Sequence, residues 1–320
     1  MLRQLLSIAV LAKATVLSAA AAGPDPEQIK NLVTFGDSYT DVNHHSDGGI
    51  VWPVFAAQDG NFSLFPYGKS GATCSNSLTP RPYLSVFESQ LPTYFAAKAN
   101  GSLGALLPNE TIYTLWIGTN DLGVGQLLTG GQASGVTVVD TSICAVNWVQ
   151  TLYNSGARNF IFQNMVPLET TPLYSADSYP NKYWTAQRNT TEWSVFMKEL
   201  TTAGNAIARL QLQLLAPTLD GAHLGFFDSH SLFADIYKNP QLYLNGTAPL
   251  NVTGAAHSCV YELNESTSGK AVCTTANGTD QDSFLWYDEL HPSVQTERVV
   301  AQAIADAIRR KSENWITWLQ

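Results

Sequence analysis

Three places in the chain carry side chains able to open an acyl bond. Ser38 follows an apolar, strand-like run over residues 31–35 through Gly36 and Asp37. A serine hydroxyl becomes a usable nucleophile once a neighbouring base takes its proton, and the glycine permits the tight turn that presents it. Asn120 stands at the matching place after a second run, 112–117, within Gly118-Thr119-Asn120-Asp121. Its side-chain amide can donate to a developing oxyanion. Asp288 and His291 lie three apart just before the last helix, beside Trp286 and Tyr287. An acid and a base on one short loop serve Ser38 only if the fold brings both ends of the chain together.

The elements that must do this alternate apolar runs with helical periodicity, the pattern of a mostly parallel sheet covered by helices. In such a sheet, ligands bind beyond the carboxyl ends of the strands. Strands are expected at 31–35, 112–117, 160–165 and 224–227, with a helix at 142–154 ended by Ser155 and Gly156. Phe196, Leu200, Ala203, Ile207, Leu210 and Leu214 recur at steps of four and three, which predicts an amphipathic helix with that stripe in the core. Near the end, Val299, Val300, Ala303, Ile304, Ala307 and Ile308 mark one helical face. Glu297, Arg298, Gln302, Asp306, Arg309 and Arg310 mark the other, and Pro292 and Ser293 suit the start. Residues 237–281 break the order with four glycosylation sequons, two cysteines and many small polar side chains, and read as a glycosylated surface excursion from a single domain over 23–320.

Four blocks in this order resemble the GDSL or SGNH hydrolases, a large family of esterases and lipases. They are Gly36-Asp37-Ser38 with Asp41 further on, Ser70-Gly71-Ala72, Gly118-Thr119-Asn120-Asp121, and Asp288-Glu289-Leu290-His291. The second block is the loosest match. The resemblance implies a three-layer α/β/α fold around a mostly parallel five-stranded sheet of flavodoxin-like order. It further implies Ser38 as nucleophile, His291 as base and Asp288 as the group that orients it. The oxyanion hole would be the N–H groups of Ser38 and Gly71 with the Asn120 amide. Asp41 and Asp121 are expected to hold loops by hydrogen bonds.

Competing chemistries fit less well. The α/β-hydrolase elbow needs Gly-x-Ser-x-Gly, and Thr40 stands where its second glycine belongs. A two-carboxylate glycosidase could be assembled from Asp280, Asp282, Asp288 and Glu289, but clustered acids more often form a solvated face. His44, His45, His223, His230 and His257 lack metal-ligand spacing. No metal or organic cofactor is implied.

Composition narrows the partners. The chain has 320 residues, 45% hydrophobic and 13% charged, enough to bury a sizeable core. Seventeen basic against 26 acidic side chains give a net charge of −9, which disfavours nucleic acid and stable membrane association. Residues 1–22 read as a secretory signal peptide, with an apolar run, Lys13 within it, and small residues Ala19 to Ala22 before Gly23 and Pro24. Asn61, Asn100, Asn109, Asn189, Asn245, Asn251, Asn264 and Asn277 each head an Asn-x-Ser/Thr triplet. Four cysteines fit disulfides better than zinc. Three pairings exist; the short loop between Cys259 and Cys273 favours that pair and hence Cys74 with Cys144, two free thiols being the alternative for the second. A secreted, extracellular monomer is expected.

Residues 47–52, Asp-Gly-Gly-Ile-Val-Trp, resemble a glycine-tryptophan segment of secreted family members. Taken with the export signal, the chain is similar to fungal GDSL acetylesterases of carbohydrate esterase family sixteen, which implies an acetylated hemicellulose oligosaccharide as substrate. Trp52 and Trp286 are the expected sugar contacts, although most aromatic side chains serve packing. The alternatives are a lipase or phospholipase with the same catalytic set and a sugar-binding protein without turnover.

Overall fold

The computed structural model describes residues 22–43 and 48–320. Residues 1–21 of the expected signal peptide, with His44, His45 and Asp47, lie outside the described residues. In chain order the first half contains β1 (Asn31–Gly36), α1 (Trp52–Gly60), β2 (Ser63–Pro66), α2 (Leu91–Ala99), β3 (Thr111–Trp116), α3 (Thr119–Leu122), α4 (Val138–Asn154) and β4 (Asn159–Gln163). The second half contains α5 (Thr190–Leu215), β5 (His223–Phe227), α6 (Ser229–Lys238), β6 (Asn251–Ala255), β7 (His257–Val260), β8 (Val272–Thr275), β9 (Phe284–Trp286), α7 (Val294–Ile308) and β10 (Ile316–Trp318).

The main sheet has the order β10-β5-β4-β3-β1-β2. The four pairings among β1 to β5 are parallel, and β10 runs antiparallel on β5. The expected five-stranded sheet is the parallel part; β10 adds a sixth strand too short to carry a periodic signal. Strands β3 and β4 are buried at every residue, which is why their sequences are nearly continuous apolar runs rather than alternating ones.

Side-chain alternation divides the interior into two layers. Leu32, Ile112, Trp116 and Ile161 face a cluster with Trp52, Phe233, Val300 and Ile304, beneath α1, α6 and α7. Val33, Phe35, Tyr113, Leu115 and Phe160 face Tyr94, Trp148, Val149 and Leu212, beneath α2, α4 and α5. Two disulfides form, Cys74 with Cys144 and Cys259 with Cys273.

Three expectations need correction. On α5 the buried face is Met197, Leu200, Thr201, Gly204, Ala208 and Leu212, whereas Phe196, Leu210 and Leu214 are exposed. The cause is a close approach: a Cβ on Gly204 would stand 2.8 Å from Met165 and 3.2 Å from Val138, so small residues take the contact and bulky ones are turned outward. On α7, Glu297 is buried, because its carboxylate accepts the Trp52 N–H at 2.9 Å at the start of α1. The 237–281 stretch is more than a surface excursion. Its β6 pairs in parallel with β9, and β7 and β8 form a hairpin closed by the second disulfide.

The strand order reverses between β1 and β3, since β2 lies to one side of β1 and β3 to β5 lie to the other. Loops leaving these two strands must diverge, which opens a crevice at their carboxyl ends.

Candidate active site

At the end of β1 the backbone makes its turn at Gly36, whose φ is +150° and where a Cβ would stand 2.3 Å from the Trp116 carbonyl of the adjacent strand. No larger residue fits there. Gln90 clamps the same peptide: its Nε2 donates to Gly36 O at 2.8 Å and its Oε1 accepts the Gly36 N–H at 3.1 Å. Asp37 closes the turn by accepting the Tyr39 N–H. Tyr39 then reaches across the molecule, its hydroxyl donating to Leu290 O at 2.8 Å. That bond joins the Ser38 turn to the loop that carries Asp288 and His291.

The convergence expected from the sequence is present. His291 Nε2 stands 2.8 Å from Ser38 Oγ, and His291 Nδ1 stands 3.0 Å and 3.1 Å from the two Asp288 oxygens. Asp288 Oδ1 also accepts the backbone N–H groups of Leu290 and His291 at 2.8 Å. Burial pushes the Asp288 carboxyl up, but His291 and its hydrogen bond, then Lys182 and its own, override this and hold it well below the usual carboxylate range. These partners favour the carboxylate form of Asp288.

Ser38, Gly71 and Asn120 line one groove, and each carries an N–H donor. The N–H groups of Ser38 and Gly71 have no hydrogen-bond partner among the described residues. Gly71 has φ +77°, and a Cβ there would stand 2.5 Å from the Tyr83 ring, so the second block needs its glycine despite the loose match around it. Asn120 Nδ2 donates one hydrogen to Ala72 O at 2.9 Å, leaving the second for the crevice. Its Oδ1 accepts from Arg81 Nη1 at 2.6 Å, which fixes the amide's orientation.

The two other block acids tie these loops together. Asp41 accepts the Ser70 N–H at 2.8 Å and the Asn43 N–H at 3.0 Å. Asp121 accepts from the Cys74 N–H and, at 2.6 Å, from the Thr79 hydroxyl. The Asp121 carboxyl is pushed up to about 6 by burial, against the pull of Thr79, Cys74 and Arg81.

The resulting groove has a volume of about 650 Å³ and is lined by Ser38, Gly71, Asn120 and His291 with Lys69, Arg81, Tyr83, Tyr174, Lys182 and Tyr183. Trp52 and Trp286, the expected sugar contacts, are fully buried. Trp52 packs in the core with its Nε1–H on Thr40 Oγ1 at 3.3 Å, and Trp286 packs on Phe233 with ring centroids 5.6 Å apart. The aromatic walls are tyrosines instead. Arg81, Tyr83, Lys182 and Tyr183 are the residues that sequence reasoning missed; they sit in loops without periodicity and outside the four blocks. Of the histidines set aside, His257 lies near Cys259 and Cys273, but both sulfurs are taken up by the disulfide.

A family model described as GDSL-like lipase/acylhydrolase matches residues 32–304. The chain belongs to that family. Among curated relatives, an acetylesterase of Hypocrea jecorina is 29% identical over 95% of this chain and 96% of its own length. An acetylesterase of Thermothelomyces thermophilus is 24% identical over 87% of this chain and 88% of its own. Among solved structures, a catalytic mutant of an acetylxylan esterase from Geobacillus stearothermophilus aligns over 88% of this chain and 96% of its own with 13% identity and a TM-score of 0.44. As a GDSL family member the protein is a carboxylic ester hydrolase.

Proposed function

We propose that this GDSL esterase is a secreted acetylesterase that removes acetyl groups from acetylated hemicellulose oligosaccharides. Ser38 Oγ attacks the ester carbonyl while His291 Nε2 takes its proton. The carbonyl oxygen becomes an oxyanion held by the N–H groups of Ser38 and Gly71 and by Asn120 Nδ2. Collapse breaks the ester C–O bond, and His291 returns the proton to the departing sugar hydroxyl. Water, deprotonated by His291, then attacks the acetyl-Ser38 carbonyl; acetate leaves and Ser38 recovers its proton.

The observation that carries the substrate reading is the character of the groove. An acyl chain of lipid length needs a deep apolar channel, but the groove beside Ser38 mixes charged and hydroxyl-bearing side chains and three tyrosines with only Pro82, Leu84, Val124 and Leu290 as aliphatic lining. Tyrosine rings suit sugar faces, and a small acyl group needs little apolar room. Export is supported by the two disulfides and by the sequons: Asn61, Asn100, Asn109, Asn189, Asn245, Asn264 and Asn277 are exposed, Asn251 is half-buried, and none lines the groove. No helix among the described residues is long and apolar enough to cross a membrane.

The test is product analysis on acetylated xylooligosaccharides beside nitrophenyl esters from acetate to palmitate. Acetate release from the sugars with falling rates on longer esters is expected. Preference for the palmitate ester and for phospholipids would instead assign a lipase.

A further inference from the structure

Beyond the serine, histidine and aspartate, a second pair of side chains grips the aspartate. Lys182 Nζ stands 2.6 Å from Asp288 Oδ2, and the Tyr183 hydroxyl donates to the same oxygen at 2.9 Å while lying 3.0 Å from His291 Nδ1. Both come from the loop between β4 and α5, far in sequence from the four blocks. That loop is firmly held. Leu173 N–H donates to Glu289 O, the Tyr179 hydroxyl donates to Glu289 Oε1, and Arg188 donates to Ser178, Tyr179 and Trp184. The β7–β8 region fastens it from outside, with Tyr261 N–H on Pro180 O and Asn264 N–H on Thr185 O.

We propose that Lys182, seated by Tyr183, is a positioning residue that acts through Asp288 to set the acid limb of the pH–rate profile. This rests on the catalytic reading above. An aspartate beside an imidazole stabilises the imidazolium and so raises the pH below which the base is lost. An ammonium on the same carboxylate offsets part of that charge, so His291 stays neutral, and able to accept the Ser38 proton, at lower pH. Lys182 is 34% exposed, so water screens part of its field, and Asp288 is fully buried, so the remainder acts at short range.

The other groups around the pair are disposed as follows. Tyr39 lies edge-on to the His291 ring with centroids 5.7 Å apart. Glu289, next to Asp288, is turned to Tyr179 and the Cys259 N–H, and Tyr287 stacks on His257. Asp37 is engaged with Tyr39 N–H, while Asp41 holds the Ser70 N–H, Arg81 holds Asn120, and Lys69 lines the same groove. Among the described residues, Lys182 is therefore the cation in direct contact with the Asp288 carboxylate besides His291 itself.

The experiment is the pH dependence of kcat/KM on nitrophenyl acetate for the wild type and for Lys182→Met, Lys182→Arg and Tyr183→Phe. In Lys182→Met the acid limb should move up by about 1 pH unit, so that activity at pH values below the limb falls roughly tenfold relative to wild type. Lys182→Arg should leave the limb where it is in wild type. An unmoved limb in folded Lys182→Met, with loss confined to KM or to melting temperature, overturns the proposal. Lys182→Gln, which keeps most of the stem and removes the charge, supplies a second variant: its limb should move up as in Lys182→Met, and an unmoved limb there overturns the proposal as well. Absence of any nitrophenyl acetate hydrolysis by wild type would instead sink the catalytic reading.

Discussion

Asn120 and Asp121 are neighbours in one short turn, yet one faces the groove and the other the interior, and their substitutions should fail differently. Asn120→Ala removes one of the three donors proposed for the oxyanion and leaves the Arg81 guanidinium without its acceptor. Turnover should drop about a hundredfold to a thousandfold while the circular dichroism melt stays close to wild type. Asp121 touches no substrate on the proposed path, and its effect is on stability. Its folded pKa of about 6 lies above the unfolded value of about 3.9, so between those values the folded state binds more protons than the unfolded. Stability from this group is thus fullest below about pH 4 and is lost as pH rises through about 6, by roughly 3 kcal/mol. Glu289, raised by burial, acts in the same sense. Asp288 acts in the opposite sense, because its depressed pKa gives stability that is present above about pH 4 and lost as pH falls further. Melting temperature should therefore peak on the acid side of neutrality, and Asp121→Asn should flatten the decline between about pH 4 and 6; an undiminished decline in that variant would refute the assignment.

Among the elements, the disulfide between Cys74 and Cys144 does more than close a long loop. It fastens the segment just after Gly71 to α4, and the Cys74 N–H is also the donor that Asp121 holds. Replacing both cysteines by serine opens a loop spanning 70 residues and should cost about 4 kcal/mol by the chain-entropy argument, read as a lower urea midpoint. Because the same segment carries Gly71, a proposed oxyanion donor, turnover should fall in that variant even at temperatures where it stays folded. The sequence exposed the elements unevenly. Buried parallel strands announce themselves as apolar runs, so β1, β3, β4 and β5 were found within a residue or two. Ser63–Pro66 and Ile316–Trp318 are edge strands of four and three residues, too short for any period to show. On α5 the visible apolar stripe misled, since the packing surface was selected for smallness around Gly204 rather than for hydrophobicity.

At the scale of the whole molecule, the site was readable where chemistry demands one residue type and unreadable where only position matters. Ser38, Asn120, Asp288 and His291 stand out because few side chains can do their work, and strand ends told where they would meet. Lys182 and Arg81 are ordinary cations until the fold sets them against Asp288 and Asn120. Trp52 and Trp286 were misplaced because a tryptophan near a site is as useful for packing as for binding. The two halves of the site are joined by Tyr39, whose buried hydroxyl donates to Leu290 O across 251 positions of sequence. Tyr39→Phe should cost about 1–3 kcal/mol in denaturant melts by stranding that carbonyl, and should also lower kcat as the imidazole loses its anchor. Nucleophile and base are separated by 253 positions, with the sheet assembled between them. A nascent chain leaving the ribosome thus carries an inert serine until the segment that bears His291 has been synthesised. On dilution from denaturant, hydrolysis should return as the last signal to recover, after far-ultraviolet ellipticity.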